Sequence, residues 1–221
     1  MARPFFTLPH PMFRKKSLSR RGFTLIELLT VIAIIGILAG MILGVIQIVK
    51  KQAKIASTKA VYAQWCSSIE QYKTTYGHYP TIEAGAYKTD KDTIISLDST
   101  ANVTAFVKCL TGRKPQFDGG EALSSEDRKK YNRQGTPFLD IDPAMFEKDN
   151  NGAYTRKFAD AFGNTKLRLI MDTDGNGMVK PEDKMPDEAG ADSDGNIGKK
   201  VIIYTLKSDN SSEYEDILSW K

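Results

Sequence analysis

The sequence predicts an α+β fold in which a long N-terminal helix packs on a small antiparallel sheet. Three observations carry that prediction. Residues 28–49 run for 22 positions without a charge, and residues 55–76 place apolar and aromatic side chains three and four positions apart. Two short runs near the C-terminus, "TKLRLIM" at 165–171 and "KVIIYTL" at 200–206, are rich in β-branched or bulky apolar residues and bounded by Asp/Gly clusters. At 221 residues, 41% hydrophobic and 26% charged, the chain accommodates one compact domain and an anchor rather than two large domains.

The first element is a basic leader. Arg3, Arg14, Lys15, Lys16, Arg20 and Arg21 all precede Phe23, and no acid does. Those six account for more than the net charge of +4, so the remainder is slightly acidic and the basic balance gives no reason to expect nucleic acid. Such a cluster ahead of an apolar run reads as a cytoplasmic flank.

The apolar run follows. Its 22 uncharged residues are enough to cross a hydrocarbon core of about 30 Å at about 1.5 Å per residue. A secretory signal peptide would carry a small-residue cleavage site after this run, but residues 44–51 offer no A-x-A pattern. The small residue well placed in front is Gly22, and a cut between Gly22 and Phe23 would discard the leader and keep the helix. Glu27 then acquires a partner. A carboxylate in hydrocarbon costs about 2.5–3.5 kcal/mol on insertion scales, and the new amine of Phe23 would lie one helical turn away, with the amine of a neighbouring subunit an equivalent partner. The alternative is an interfacial Glu27 snorkelling at a helix start.

The stretch "RRGFTLIELLTVIAIIGILAG" at 20–40, with its basic leader, Gly22, Phe23 and Glu27 in the fifth place of the product, resembles the class III leader and N-terminal helix of type IV pilins and type II secretion pseudopilins. The resemblance implies that a prepilin peptidase cuts after Gly22 and N-methylates Phe23, and that Glu27 guides docking into a helical filament. Gly44 stands where many family members have proline, and glycine weakens a helix more gently, by about 1 kcal/mol relative to Ala. Gly36, Gly40 and Gly44 at four-residue spacing permit close helix approach, or are ordinary membrane-helix glycines.

Beyond Lys50 the helix continues as an amphipathic rod. Ile55, Thr58, Tyr62, Trp65, Ile69, Tyr72 and Tyr76 mark the face that packs on the sheet, and Gly77 and Pro80 end it. His78 lies in that turn, where a solvated turn histidine is the simpler reading than a catalytic one. In the middle segment, 81–160, "STANVTAFVKCL" at 99–110 reads as a capped helix stopped by Gly112, and "SSEDRKKY" from Ser124 has a capping-box-like start. Loops with extended pieces surround them. The expected organisation is a leader at 1–22, an assembly half of the helix at 23–49, its amphipathic half at 50–76 and a globular region at 77–221.

Toward the C-terminus, "DAFGN" at 160–164, "VIIYTLKSDN" and "YEDILSW" resemble the major, G-type pseudopilin pattern, which closes on a calcium-binding loop. Ala161, Phe162 and Lys207–Ser208 depart from it. The resemblance implies Asp209 and Asp216 as ligands in that closing loop. From spacing alone, "DTDGNGMVKPED" places Asp172, Asp174, Asn176, Gly177, Val179 and Asp183 at positions 1, 3, 5, 6, 8 and 12 of an EF-hand-like loop, giving Asp172, Asp174, Asn176 and Asp183 as candidate Ca²⁺ ligands. Flanking prolines Pro181 and Pro186 argue for a strand-to-loop clip instead of a helix pair, and a surface Asp/Gly turn without metal is the alternative. "DSDGN" at 192–196 is a weaker copy, with Ile197 where glycine is wanted.

Cys66 and Cys109 are the two cysteines; a bridge from the middle segment to the rod and two small buried thiols are both open readings. No catalytic constellation is found. Taken with the resemblance, the sequence implies a structural subunit of a type II secretion pseudopilus. Its partners would be copies of itself in a helical filament, other pseudopilins or pilins, an inner-membrane assembly platform, prepilin peptidase and the membrane. It would be single-pass in the inner membrane, with leader cytoplasmic and globular domain extracytoplasmic, before entering a periplasmic or surface filament. A major or minor pilin of a type IV pilus is the neighbouring reading, and a calcium-binding module tethered by its helix is the reading from another class.

Overall fold

The computed structural model describes residues 22–82, 91–181, 185–186, 189–207 and 216–221. They form an α+β fold, a long N-terminal helix followed by small antiparallel sheets, consistent with a pilin-like fold. The chain divides into two units, Met1–Gln47 and Ile48–Lys221.

Helix α1 spans Leu25–Tyr76, 52 residues. In the first unit most of the described large apolar side chains of the helix are exposed, Ile32 at 60% and Ile37 at 61%. Among the described residues α1 is the one helix long and apolar enough to cross a membrane. In the second unit the three- and four-residue spacing places Thr58, Tyr62, Trp65, Ile69 and Tyr72 in the interior. The helix ends where glycine permits it. Gly77, at φ 79°, donates its N–H to the Lys73 carbonyl at 2.8 Å, a left-handed C-terminal cap.

Four strands make the main sheet: β1 (Thr93–Ser96), β4 (Leu167–Met171), β5 (Val201–Thr205) and β6 (Ile217–Leu218), adjacent in that order and all antiparallel. The period of two sorts their side chains between two cores. Ile95, Leu167, Leu169, Met171, Val201, Ile203 and Ile217 share one core with Tyr62, Trp65, Ile69 and Tyr72 of α1. Ile170, Ile202, Tyr204 and Leu218 face the other way and are covered by Val179, Ala189 and Ile197 from the acidic loops. Burial on both faces explains why β5 reads as a continuous apolar run.

The middle segment contributes α2 (Thr100–Thr111), α3 (Ser125–Lys130) and a hairpin of β2 (Phe146–Lys148) with β3 (Tyr154–Phe158). Helix α2 begins after Ser99 and stops at Gly112, whose φ of 67° and distance of 2.9 Å from a would-be Cβ to the Gly135 carbonyl oxygen both demand glycine. Ser124 caps α3 by accepting the Asp127 N–H at 3.2 Å. Among the described residues hydrogen bonds tie the segment to α1: Tyr72 donates to the Tyr131 carbonyl at 2.6 Å, Tyr76 to Asn132 Oδ1 at 2.7 Å and Ser68 to the Phe138 carbonyl at 3.0 Å, while the Tyr76 hydroxyl accepts the Gln134 N–H at 3.1 Å.

Candidate functional site

Two regions concentrate chemistry, an acidic corner at the end of the main sheet and the N-terminal segment of α1. The corner follows from strand register. Thr93 pairs with Met171 across β1 and β4, so Asp92, just before β1, lies beside Asp172, just after β4. The carboxylate atoms of Asp92, Asp172 and Asp174 lie within 4.8 Å of one another.

Each carboxylate is held differently. Asp172 is 2% exposed, and its two oxygens accept the N–H groups of Gly175 at 2.7 Å and Gly177 at 2.9 Å. Asp174 accepts from the backbone N–H of Asn176 at 3.0 Å and from its side-chain amide at 2.9 Å, while Asn176 Oδ1 accepts the Met178 N–H at 2.7 Å. Asp92 Oδ2 accepts the Lys180 N–H at 2.7 Å, but Asp92 Oδ1 is buried with no hydrogen-bond partner. Burial lifts the Asp92 carboxyl above its ordinary value; the Lys180 N–H works against this, and the charges of Asp174 and Asp172 reinforce it. The loop is anchored on its far side by reciprocal backbone bonds between Val179 and Ile197, at 3.0 and 2.8 Å.

An unpartnered carboxylate oxygen beside two further carboxylates could hold a hard divalent cation of the Ca²⁺ kind, and the group lacks the His or Cys that zinc selects. Asp92, Asp172 and Asp174 are the residues that would hold it. Asp92 is absent from the sequence-level ligand set, since its place depends on the register of a four-residue strand. Of the residues that spacing suggests, Asp172 and Asp174 come together, Asn176 turns to its neighbours, and Asp183 lies outside the described residues. In the closing loop Asp209 also lies outside them, and Asp216 accepts the Lys207 N–H at 2.7 Å. Asp192, in the weaker copy, accepts from the Asn196 amide at 3.0 Å and from the N–H groups of Asp194 and Asn196 at 2.9 and 2.8 Å. These bonds, that of the Asn196 side chain foremost, hold its carboxyl below its ordinary value.

The bridge between Cys66 and Cys109 is not made; both are free. Each thiol has a separate partner, Cys66 the Ser219 hydroxyl at 3.6 Å and Cys109 the Thr81 carbonyl at 3.7 Å. Burial pushes both up to about 12, which favours the protonated thiol at neutral pH. His78 sits with Nδ1 2.8 Å from the Tyr79 carbonyl oxygen and its ring against Tyr72 and Tyr76.

At the other end of the chain, Gly22, Phe23 and Thr24 precede α1, and Phe23 is exposed. Thr24 and Glu27 form a capping box. Glu27 Oε2 accepts the Thr24 N–H at 2.8 Å and the Thr24 hydroxyl at 2.9 Å, and Thr24 Oγ1 lies 3.3 Å from the Glu27 N–H it caps. Glu27 thus satisfies the Thr24 backbone donor at a helix N-terminus, where the helix dipole also favours its charge. This role is written in the sequence as Thr-x-x-Glu, a signal that a reading of Glu27 by charge alone passes over.

The residues around this cap carry a family match. Residues 18–43 match the family model of the prokaryotic N-terminal methylation motif. The methylation motif spans Gly22, Phe23 and Glu27 together with the first turns of α1, and it supports a type IV pilin-like subunit anchored by its apolar N-terminal helix. No curated protein and no solved structure matches the chain.

Proposed function

We propose that this chain is a structural subunit of a type II secretion pseudopilus. The observation that carries the reading is the methylation motif set on a helix most of whose described large apolar side chains are exposed in the first unit. A stripe of that size needs either hydrocarbon or other helices against it, and a subunit that moves from membrane to filament uses both in turn. In this reading prepilin peptidase cuts between Gly22 and Phe23 and methylates the new amine, and an inner-membrane platform assembles the product with copies of itself and with other pseudopilins. Glu27 exchanges its Thr24 contacts for the cationic amine of Phe23 in the same or a neighbouring subunit, a charge-assisted bond stronger than a neutral one. The departures at Ala161 and Phe162 keep a pilin of a type IV pilus as the neighbouring assignment. Calcium belongs to the proposal as the ion of one of the acidic loops.

Processing gives the first test. The intact mass of the native protein is expected to correspond to a chain starting at Phe23 with one added methyl group. A mature protein that retains the residues before Phe23 would remove the basis of the reading.

A further inference from the structure

We infer that Asp92, Asp172 and Asp174 form one divalent-cation site, so that the ion fastens the start of β1 to the loop leaving β4 rather than sitting in the closing loop at 209–216. The inference rests on the calcium reading and deepens it by naming the ligands.

The decisive residue is Asp92. A loop of the EF-hand type gathers its oxygens from one continuous stretch, yet here Asn176, a candidate ligand within the stretch, is bonded to Asp174 and Met178. The oxygen left over comes from outside the loop, from the residue before β1: Asp92 is half-buried, its Oδ1 is buried without a partner, and Oδ2 of the same carboxylate is bonded to Lys180 of the loop. A buried acceptor without a donor is costly, and among the described residues no basic side chain pairs with Asp92, Asp172 or Asp174. A cation would remove the repulsion among the three carboxylates and complete the orphaned oxygen at once.

The position gives the ion a task. The loop it would clamp carries Val179, which with Ala189 and Ile197 covers Ile170, Ile202 and Tyr204 on the outer face of the sheet. Binding at its root holds that cover against the sheet, and withdrawal of the ion loosens the cover while α1 keeps the opposite core.

The test uses the full chain in detergent, with Ca²⁺ as the probe. Isothermal calorimetry and thermal melting are compared in chelator and in millimolar CaCl2 for the wild type, Asp92→Asn and Asp209→Asn. The wild type is expected to bind Ca²⁺ and to melt higher in its presence. Asp92→Asn keeps the shape of the side chain and removes one of three like charges, so it is expected to melt at or above the wild type in chelator. The same variant is expected to lose Ca²⁺ affinity by about ten-fold or more, because affinity follows ligand charge. Asp209→Asn is expected to bind like the wild type. If Asp209→Asn loses binding and Asp92→Asn retains it, the ion lies in the closing loop and this site is wrong while the calcium reading stands. If the wild type binds no Ca²⁺, both fall. An Asp92→Asn protein that melts lower in chelator and binds Ca²⁺ normally makes Asp92 a structural residue only and also overturns the site.

Discussion

Asp160 illustrates how a single buried acid organises this fold. It is 6% exposed, its Oδ1 accepts the N–H groups of Phe162 at 2.8 Å and Asn164 at 2.9 Å, and its Oδ2 accepts the Thr205 hydroxyl at 3.1 Å. Next to it, the Ala161 N–H reaches Thr58 of α1 at 3.3 Å and the Asn164 amide reaches the Leu206 carbonyl at 3.1 Å, so the short segment joins helix to sheet. Burial raises the Asp160 carboxyl above its ordinary value of 3.8, and the hydrogen bonds offset only part of that. With a raised value the native state holds the proton more tightly than the unfolded chain. The contribution of Asp160 to stability is therefore greatest in acid and falls as pH rises through the window just above 3.8. Asp160→Asn, which keeps an acceptor at Oδ1, is expected to remove that fall. Urea unfolding of both proteins across the window tests this, and a wild-type-to-variant difference that stays constant with pH would contradict it. Asp160→Ala, by contrast, is expected to cost about 1–3 kcal/mol for each donor left buried and unpaired.

Among elements, the second half of α1 organises the core. Trp65, 1% exposed, packs its ring against Phe158 at 4.7 Å, Phe106 at 5.0 Å and Tyr62 at 6.1 Å, joining helix, α2 and hairpin. Trp65→Ala is expected to destabilise the protein by about 3–5 kcal/mol, measured by chemical denaturation; a loss below about 1 kcal/mol, the scale of a surface substitution, would mean that this contact is not central. The face carrying Trp65 was legible because a 3.6-residue period repeats over many turns. Strands β4 and β5 were legible because each is a compact apolar run between Asp/Gly clusters. Strand β1, with four residues, and β6, with two, are too short to show a period. The hairpin β2–β3 has a turn signal in Asn151–Gly152, but β3 buries only Phe158 fully, so its strand pattern is weak. The same limit explains the acidic corner. Its loop residues follow a spacing that can be read along the chain, whereas Asp92 joins them only through cross-strand register. The cysteines are the converse case: shared apolar surroundings made a bridge conceivable, but each thiol has a partner of its own.

At the scale of the whole molecule, the two units have opposite surfaces. The second encloses two hydrophobic cores, one against α1 and one beneath the acidic loops. In the first most of the described large apolar side chains of the helix are exposed. In the proposed function that helix drives polymerisation, guided by Glu27, and the second unit is left for the surface of the polymer. Electron cryomicroscopy of the protein assembled by its own inner-membrane machinery tests this most directly, with Glu27→Ala as the sole subunit for comparison. The expected result is a helical filament of the wild type with residues 23–49 at its centre, and no filament from Glu27→Ala despite normal membrane insertion. Wild-type protein that stays as dispersed membrane-tethered monomers in the presence of that machinery, or Glu27→Ala that assembles equally well, would contradict it.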